Sequence, residues 1–166
     1  AKVRIINEDA FVWLDSNTEQ FDYVVIDFPD PTNFSLGKLY TTAFYRMLAR
    51  HVSSHGLVTV QSTSPLFARQ SYWCIVTTLE QAGWKTRPYH VYVPSFGEWG
   101  FVLAGREGFG DASSSLPPGL RFLTAATLPQ LFDFPRDMQR VAAEANRLND
   151  QILVRYYEHE WSLVAR

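Results

Sequence analysis

Residues 23–31 read Tyr-Val-Val-Ile-Asp-Phe-Pro-Asp-Pro, so an apolar, largely β-branched run leads directly into two acidic residues. Such an uninterrupted run is typical of a strand that is buried on both faces of a parallel sheet. Asp27 would then lie at the carboxyl end of the strand, the edge where ligands bind in open α/β sheets. Pro29 and Pro31 cannot continue a sheet and would hold Asp30 near Asp27. The stretch predicts a site for a cationic ligand, with an ordinary Asp-Pro turn as the alternative.

The composition is that of one folded domain. The chain has 166 residues, of which 46% are hydrophobic and 19% charged, and its net charge is −2. This length is close to the roughly 150 residues of one domain, and the lack of a basic run argues against nucleic-acid binding. The single cysteine, Cys74, cannot form a disulfide within the chain, which fits a reducing, cytoplasmic setting. No apolar run approaches the roughly 20 residues that a membrane-spanning helix needs.

Apolar periodicity and turn residues predict alternating strands and helices. Strands are expected at residues 2–6, 21–27, 57–61, 84–93 and 99–104. Helices are expected at residues 10–15, 38–52, 65–81, 128–132, 135–147 and 150–161. This order predicts an α/β fold with a partial Rossmann-like sheet of the S-adenosylmethionine-dependent methyltransferase type. The sheet would be mostly parallel with an antiparallel C-terminal hairpin, followed by C-terminal helices.

Glycine, serine and proline concentrate in residues 106–119, which are therefore predicted to be a linker. The chain would consist of a sheet domain at residues 1–105, this linker, and a C-terminal helical extension at residues 120–166. In that extension, we expect Tyr156, Tyr157 and Trp161 to serve packing or an interface.

Several segments of the chain, in order and at suitable spacing, resemble the spermidine synthase family. They are residues 7–11, 21–31, 38–40, 44–45, 61, 64–65 and 93–101. The match covers roughly residues 2–105. Residues 28–31, 94–101 and 149–161 look most like a bacterial branch in which membrane helices precede the synthase domain. We therefore expect a cytoplasmic domain, which could belong to a membrane-anchored protein.

The resemblance implies an activity and two acidic roles. The family transfers an aminopropyl group from decarboxylated S-adenosylmethionine to putrescine, which yields spermidine and methylthioadenosine. Asp27 matches the catalytic aspartate that holds and helps deprotonate the attacking amine, and Asp30 matches a second acid that helps bind the amine groups. Asp9 matches the acid that accepts a hydrogen bond from the adenine amino group.

Polar and aromatic residues complete the expected substrate site. The resemblance places Tyr45 and Gln61 at polar contacts with the amines. Tyr40 and Trp99 belong to an aromatic set that could line the amine channel, because rings flank methylene chains and attract cations. Core packing is the alternative for this set. We favour the core for Phe44 and the site for Trp99.

The expected chemistry agrees with these residue types. An alkylammonium ion has a pKa of about 10, so it is a poor nucleophile at neutral pH. A carboxylate at hydrogen-bond distance orients the amine and accepts its proton as attack begins. The leaving group needs no acid, so positioning two cationic substrates is most of the work. No metal or other cofactor is expected, and the four scattered histidines are expected to be structural or surface residues.

One element of the family has no counterpart ahead of the first strand. The family's domain begins with a glycine-rich turn that holds the nucleoside, and no such turn precedes Lys2. The chain therefore resembles the C-terminal part of the synthase domain only, and we expect poor or no turnover from it alone. In the family the missing strand lies against the strand that ends in Asp27, so its loss would expose an apolar edge. We expect another copy of the chain, forming a homo-oligomer, or the missing N-terminal part to cover that edge.

Two other functions remain open at this point. A methyltransferase that acts on a small molecule would use the same sheet, although a methyl acceptor has no need of two acids three residues apart. A non-catalytic polyamine-binding or interaction module would keep the acids and lack the donor pocket. Assays with decarboxylated and ordinary S-adenosylmethionine separate the two enzymes, and nucleoside binding separates both from the module.

Overall fold

The computed structural model of the chain describes residues 2–109 and 116–164. The strands are β1 (Phe21–Ile26), β2 (Val52–Gln61), β3 (Lys85–Val93) and β4 (Gly97–Gly105). The helices are α1 (Ala10–Ser16), α2 (Phe34–Gly37), α3 (Thr42–Leu48), α4 (Arg69–Gln81) and α5 (Ile152–Val164). Short 3-10 turns occur at Lys38–Tyr40 and Pro129–Phe132.

The strands form one mixed sheet in the order β1-β2-β4-β3. β1 and β2 are parallel, with Val24 opposite Val58 and Ile26 opposite Val60. β4 runs antiparallel to both β2 and β3. The predicted α/β class and the antiparallel C-terminal hairpin are therefore confirmed, whereas the described sheet is mixed and not mostly parallel, because only β1 and β2 pair in parallel. β1 lies at the edge of the described sheet, where Val25 is 63% exposed.

Helix α4 is the centre of the helical layer. It packs against β3 and β4, and α3 and α5 pack against it in turn. The completely or almost completely buried side chains come from these helices, from the turn before α3, and from alternate residues of β2 and β4: Tyr40, Phe44, Tyr45, Tyr72, Ile75, Leu79, Leu153, Val58, Val60 and Val102. Removal of this apolar surface from water is the main stabilising term, at about 25 cal/mol for each Å².

Residues 2–6 do not form the predicted strand. They pair with no strand among the described residues, and Val3 and Ile5 are 74% and 83% exposed. Strand backbone needs hydrogen-bond partners, so alternating apolar residues alone do not produce a strand at this position. The prediction is wrong for this segment.

The helix predicted over residues 38–52 is shorter and divided. α3 ends at Leu48, and the chain changes direction at the buried His51. The two ring nitrogens of His51 bind the carbonyl oxygens of Leu14 and Glu19 at 2.7 and 2.9 Å. These contacts hold the chain against α1 and the segment that follows it, and β2 begins with the next residue.

The helix predicted for residues 135–147 is wrong, because residues 136–138 form only a turn and residues 140–147 contain no helix. Their composition favours a helix, but the exposure alternates from residue to residue over positions 141–145, as in an extended chain. Side chains of α4 occupy backbone carbonyls that a helix would use: Trp73 donates to Met138 at 3.0 Å, and Arg69 donates to the next carbonyl at 2.6 Å. Helix propensity is worth only a few tenths of a kcal/mol for each residue, so these contacts decide the conformation.

The C-terminal extension shares its core with the sheet. α5 packs on α4, and its Leu153 side chain is completely buried. Of the predicted linker at residues 106–119, residues 110–115 lie outside the part of the chain that the structure describes. The two boundaries between the three predicted segments therefore stay predictions.

Asn146 joins the C-terminal segment to the rest of the molecule. Its completely buried amide nitrogen donates to the carbonyl oxygens of Gly37 and Tyr40 at 3.0 and 3.2 Å. Its side-chain oxygen accepts from the backbone N–H of Leu153 at 3.2 Å. One side chain thereby holds the end of α2, the turn before α3, and the start of α5.

We expect Asn146→Asp to lower the free energy of unfolding by about 3 kcal/mol or more, because a buried carboxylate would face two carbonyl oxygens that have lost their donor. Chemical denaturation measures this change. Asn149→Asp makes the same chemical change at an exposed position three residues away, and it should alter stability by less than about 0.5 kcal/mol. Equal stability of the two variants would contradict the role of Asn146.

Candidate functional site

The carboxyl ends of the parallel strands β1 and β2 lie side by side. Asp27 follows the last residue of β1, and Gln61 is the last residue of β2. Both side chains line one cavity of about 460 Å³. The structure therefore brings these two predicted site residues together at the edge where ligands bind in open α/β sheets.

Asp30 lies behind Gln61 and is not among the residues that line this cavity. The Gln61 side-chain nitrogen donates to Asp30 Oδ1 at 3.2 Å. The hydroxyls of Thr63 and Tyr157 both donate to Asp30 Oδ2 at 3.0 Å. The half-buried carboxylate thus receives hydrogen bonds from the end of β2, from the loop that follows it, and from α5. Neither Thr63 nor Tyr157 was expected at the site.

Thr63 holds its position at the cost of backbone strain. Its φ of 58° lies in the left-handed region, which is rare for a β-branched residue. The backbone N–H of Gly100 donates to the carbonyl of Thr63 at 2.7 Å. A Cβ atom on Gly100 would overlap the ring of the buried Tyr72, so only glycine allows this close approach. Strain of this kind is concentrated at functional sites, and here it places a hydroxyl on Asp30.

Asp27 differs from Asp30 in its surroundings. Its side chain is exposed at the cavity, and it makes no hydrogen bond within the described residues. An exposed carboxylate without a protein partner keeps all its acceptor positions for a ligand. The two acids of the loop therefore have different environments, one open and one held.

Tyr40 fixes the loop between the two acids. Its buried hydroxyl lies 3.1 Å from the carbonyl oxygens of both Phe28 and Pro29 and donates to them. Burial raises the pKa of Tyr40, and the negative charges of Asp30 and Asp27 raise it further, so the hydroxyl stays protonated and remains a donor. The structure places Tyr40 under the loop and not among the cavity-lining residues.

The remaining walls of the cavity are mainly apolar and aromatic. Trp99 lines the cavity, with its ring centroid 5.3 Å from that of Phe96. The other lining residues are Val25, Ile26, Thr59, Val93 and Phe101. The cavity therefore combines an acid and an amide at one end with aromatic walls.

Tyr45 is not brought to this cavity. Its side chain is completely buried in the core, beside Phe44, and its hydroxyl has no partner among the described residues. Burial raises the pKa of Tyr45 well above its ordinary value, so it is a neutral core residue. Its predicted contact with an amine stays a prediction to which the structure adds no support.

Asp9 is the N-cap residue of α1 and forms an ion pair. Its Oδ1 accepts from the backbone N–H of Phe11 at 2.8 Å, and its Oδ2 lies 2.7 Å from the Lys38 ammonium. The hydrogen bond from Lys38, followed by that from Phe11, holds the pKa of Asp9 below its ordinary value of 3.8. The carboxylate is nevertheless partly exposed, so a further donor can still reach it.

A larger cavity of about 660 Å³ lies near the opposite end of the sheet, next to His55, Arg87 and Arg106. It contains none of the acidic residues discussed above.

Among the described residues, no group of three histidine, cysteine, aspartate or glutamate side chains is arranged to hold a metal ion. Over the same residues, no helix combines the length and apolar character needed to cross a membrane.

Residues 1–109 match the spermine/spermidine synthase domain. The chain belongs to this family. The matched residues contain both acids, Gln61 and Trp99, whereas Tyr157 lies beyond them.

Several curated proteins are similar to this chain. A polyamine aminopropyltransferase of Leptospira interrogans is 54% identical over 99% of this chain and 33% of its own length. Polyamine aminopropyltransferase 2 of Ralstonia nicotianae is 53% identical over 99% of this chain and 32% of its own length. A Streptomyces coelicolor relative, polyamine aminopropyltransferase 1, is 43% identical over 96% and 30%. The chain thus spans about a third of the length of the curated relatives it matches.

Solved spermidine synthases share the fold of this family member. A spermidine synthase in complex with the transition state analogue AdoDATO has a TM-score of 0.65 and 18% identity, over 80% of this chain and 48% of that one. The spermidine synthase of Thermotoga maritima has a TM-score of 0.63 and 16% identity, over 80% and 47%. The predicted Rossmann-like, methyltransferase-type sheet is thereby confirmed.

Two tyrosines of this family member offer a matched test of the loop. We expect Tyr40→Phe to lower the free energy of unfolding by about 1–2 kcal/mol, because the carbonyls of Phe28 and Pro29 lose a buried donor. Tyr45→Phe removes a buried hydroxyl that has no partner, so stability should stay equal or rise. Denaturant titration measures both. A loss for Tyr45→Phe as large as that for Tyr40→Phe would show that the Tyr45 hydroxyl has a partner after all.

The Asp9–Lys38 pair predicts a small pH-dependent contribution to stability. Because the pKa of Asp9 is lowered in the folded state, the contribution is complete above 3.8 and is lost as pH falls through the folded-state value. Asp9→Asn keeps the helix cap and removes the charge. At pH 7 it should cost less than about 1 kcal/mol, since the pair is partly exposed.

The stability gap between wild type and Asp9→Asn should close as the pH is lowered below 3.8. Lys38→Gln is the control, since it removes the main cause of the lowered pKa and should shrink the pH-dependent part of the gap. Thermal unfolding from pH 7 to pH 2.5 measures it. A gap that stays constant over this range would refute the role of the ion pair.

Proposed function

We propose that this chain is the amine-binding part of a polyamine aminopropyltransferase, which transfers an aminopropyl group from decarboxylated S-adenosylmethionine to putrescine. The observation that carries the proposal is the exposed Asp27 and the amide of Gln61 on one cavity, with Asp30 fixed behind Gln61. The chain spans about a third of its curated relatives' length, so the activity of the whole protein is itself a proposal.

The charge of the site favours a diamine. Putrescine carries two positive charges at neutral pH, because alkylammonium groups have pKa values of about 10. Asp27 at the cavity and Asp30 behind it supply two negative charges on one rigid loop. This balance lowers the desolvation cost of holding a dication in a partly enclosed space.

Asp27 is proposed to act as the general base. It holds the acceptor nitrogen and takes one of its protons as the nitrogen lone pair attacks the carbon next to the donor's sulfonium. The carbon–sulfur bond breaks, and its electron pair neutralises the sulfur, which leaves as methylthioadenosine. The exposure of Asp27 and its lack of a protein partner among the described residues support this role.

Gln61 is proposed to bind an ammonium group through its side-chain oxygen. Asp30 only accepts hydrogen bonds, so the amide must present its nitrogen to Asp30 and its oxygen elsewhere. That oxygen is buried and has no partner among the described residues. A buried acceptor of this kind is costly unless a ligand donates to it.

The aromatic walls suit the methylene chain of the acceptor. Trp99 and Phe96 line the same cavity as Asp27, and aromatic ring faces attract cations. Tyr40 contributes indirectly by holding the loop. The resemblance assigns Asp9 to the adenine amino group of the donor, and its partly exposed carboxylate is compatible with that contact. The donor is a co-substrate, and no further cofactor takes part.

Two kinds of measurement test the proposal. A full-length protein that contains this chain should form spermidine and methylthioadenosine from putrescine and decarboxylated S-adenosylmethionine, which mass spectrometry detects. Methylation of an acceptor by ordinary S-adenosylmethionine would support the methyltransferase alternative. Calorimetry should show putrescine binding; binding of putrescine without binding of methylthioadenosine to the full-length protein would favour a non-catalytic module.

We expect Asp27→Asn in the full-length enzyme to lower kcat by a factor of about 10²–10⁴, because the amide cannot accept the proton. Asp22→Asn is the matched control on the same strand. Asp22 is exposed and accepts a hydrogen bond from Ser53 at 2.8 Å, at the opposite end of β1 from the cavity. The kcat of the Asp22→Asn variant should stay near that of the wild type. A near-normal rate for Asp27→Asn would exclude it as the base.

The free edge of β1 bears on assembly. Tyr23 and Val25 are exposed along this edge, and Trp13, Leu14 and Val24 line an apolar groove beside it. We propose that another copy or the rest of the protein covers it.

Localisation in the cytoplasm, whether or not the parent protein is membrane-anchored, likewise remains a proposal.

A further inference from the structure

Helix α5 reaches the site although it lies beyond the residues that match the family. The match ends at residue 109, and α5 begins at Ile152. Tyr157 on this helix donates its hydroxyl to Asp30 Oδ2 at 3.0 Å, a contact between residues 127 positions apart in sequence. The family match therefore does not account for this contact.

Glu160 docks α5 onto the molecule. Its carboxylate accepts from the backbone N–H groups of Gln70 and Ser71 at 2.6 and 3.0 Å and from the Ser71 hydroxyl at 2.7 Å. These groups lie in the first turn of α4, whose N-cap residue, Ala68, has no side chain that can cap them. Glu160 therefore caps α4 from another helix, which is a favourable position for a negative charge.

Docking of α5 fixes the direction of the Tyr157 hydroxyl. The Tyr157 ring lies 5.7 Å from that of Trp161, and Trp161 lies 6.1 Å from Phe67. Burial, followed by the charge of Asp30, raises the pKa of Tyr157, so the hydroxyl remains a donor at neutral pH. The helix thus presents a neutral, directed donor to the acid.

The Asp30 carboxylate has about four acceptor positions on its two oxygens. Tyr157 and Thr63 occupy Oδ2, which leaves Oδ1 to Gln61. Without the Tyr157 donor, the carboxylate could rotate and offer Gln61 a different oxygen or none. The orientation of the Gln61 amide, and with it the direction of its unpartnered oxygen, depends on this arrangement.

We propose, on the basis of the amine-binding function above, that Tyr157 is a positioning residue for the acceptor amine, acting through Asp30 and Gln61. We call the contacts from Tyr157 to Asp30 and from Asp30 to Gln61 the relay. The relay does not include Asp9, which is the expected contact of the aminopropyl donor. Its loss should therefore weaken acceptor binding selectively. A purely structural role of α5 would affect donor and acceptor alike.

The test compares Tyr157→Phe with Tyr156→Phe in the full-length enzyme. Both variants lose one hydroxyl on the same helix, but that of Tyr156 faces Glu144 at 3.4 Å, away from Asp30. We expect Tyr157→Phe to raise KM for putrescine about tenfold, the size of one hydrogen bond to a charged group, with KM for the donor unchanged. Tyr156→Phe should leave both values unchanged.

Each other outcome has a defined meaning. Equal KM values for putrescine in the two variants would overturn the proposal, as would a parallel rise in both KM values for Tyr157→Phe. If the wild type transfers no aminopropyl group, the proposed function fails, and calorimetry with putrescine then decides the relay. Weaker binding by Tyr157→Phe alone would uphold the relay, and equal or absent binding would overturn it.

Discussion

The rest of the site depends on the hydrogen bonds that Asp30 accepts. A half-buried carboxylate is costly unless donors surround it, and here the donors come from β2, from the strained Thr63 and from α5. Each of these segments must be in place for the others to be held. Asp30 therefore connects the sheet to the C-terminal extension through its hydrogen bonds.

The same loop gives its two acids different tasks by giving them different surroundings. Asp27 is open to the cavity, whereas Asp30 is fixed by donors and is separated from the cavity by Gln61. Differences of environment between neighbouring carboxylates are a common way to separate a reactive group from a supporting one. Tyr40 makes the separation rigid, because it binds the two carbonyls that lie between the acids.

The sequence was most informative where local pattern and tertiary structure agree. The apolar run of β1 predicted the strand and the position of Asp27 at its end, whereas Gln61 was assigned to the site by the family resemblance. Thr63 and Tyr157 could not be predicted, because neither a left-handed threonine nor a contact across 127 residues leaves a local signal. The helix prediction for residues 135–147 failed for the opposite reason. Their local preference is helical, and contacts with α4 override it.

That conflict has a consequence for the order in which the molecule assembles. In the denatured chain, residues 135–147 are free to sample transient helix, since nothing yet competes for their carbonyls. They must unwind before they can lie along α4, and α5 follows them in the chain. The full set of donors on Asp30 therefore depends on a segment that is remote in the sequence, and it forms only once α5 has docked. A chain that ended before α5 would lack the Tyr157 donor beside its binding cavity.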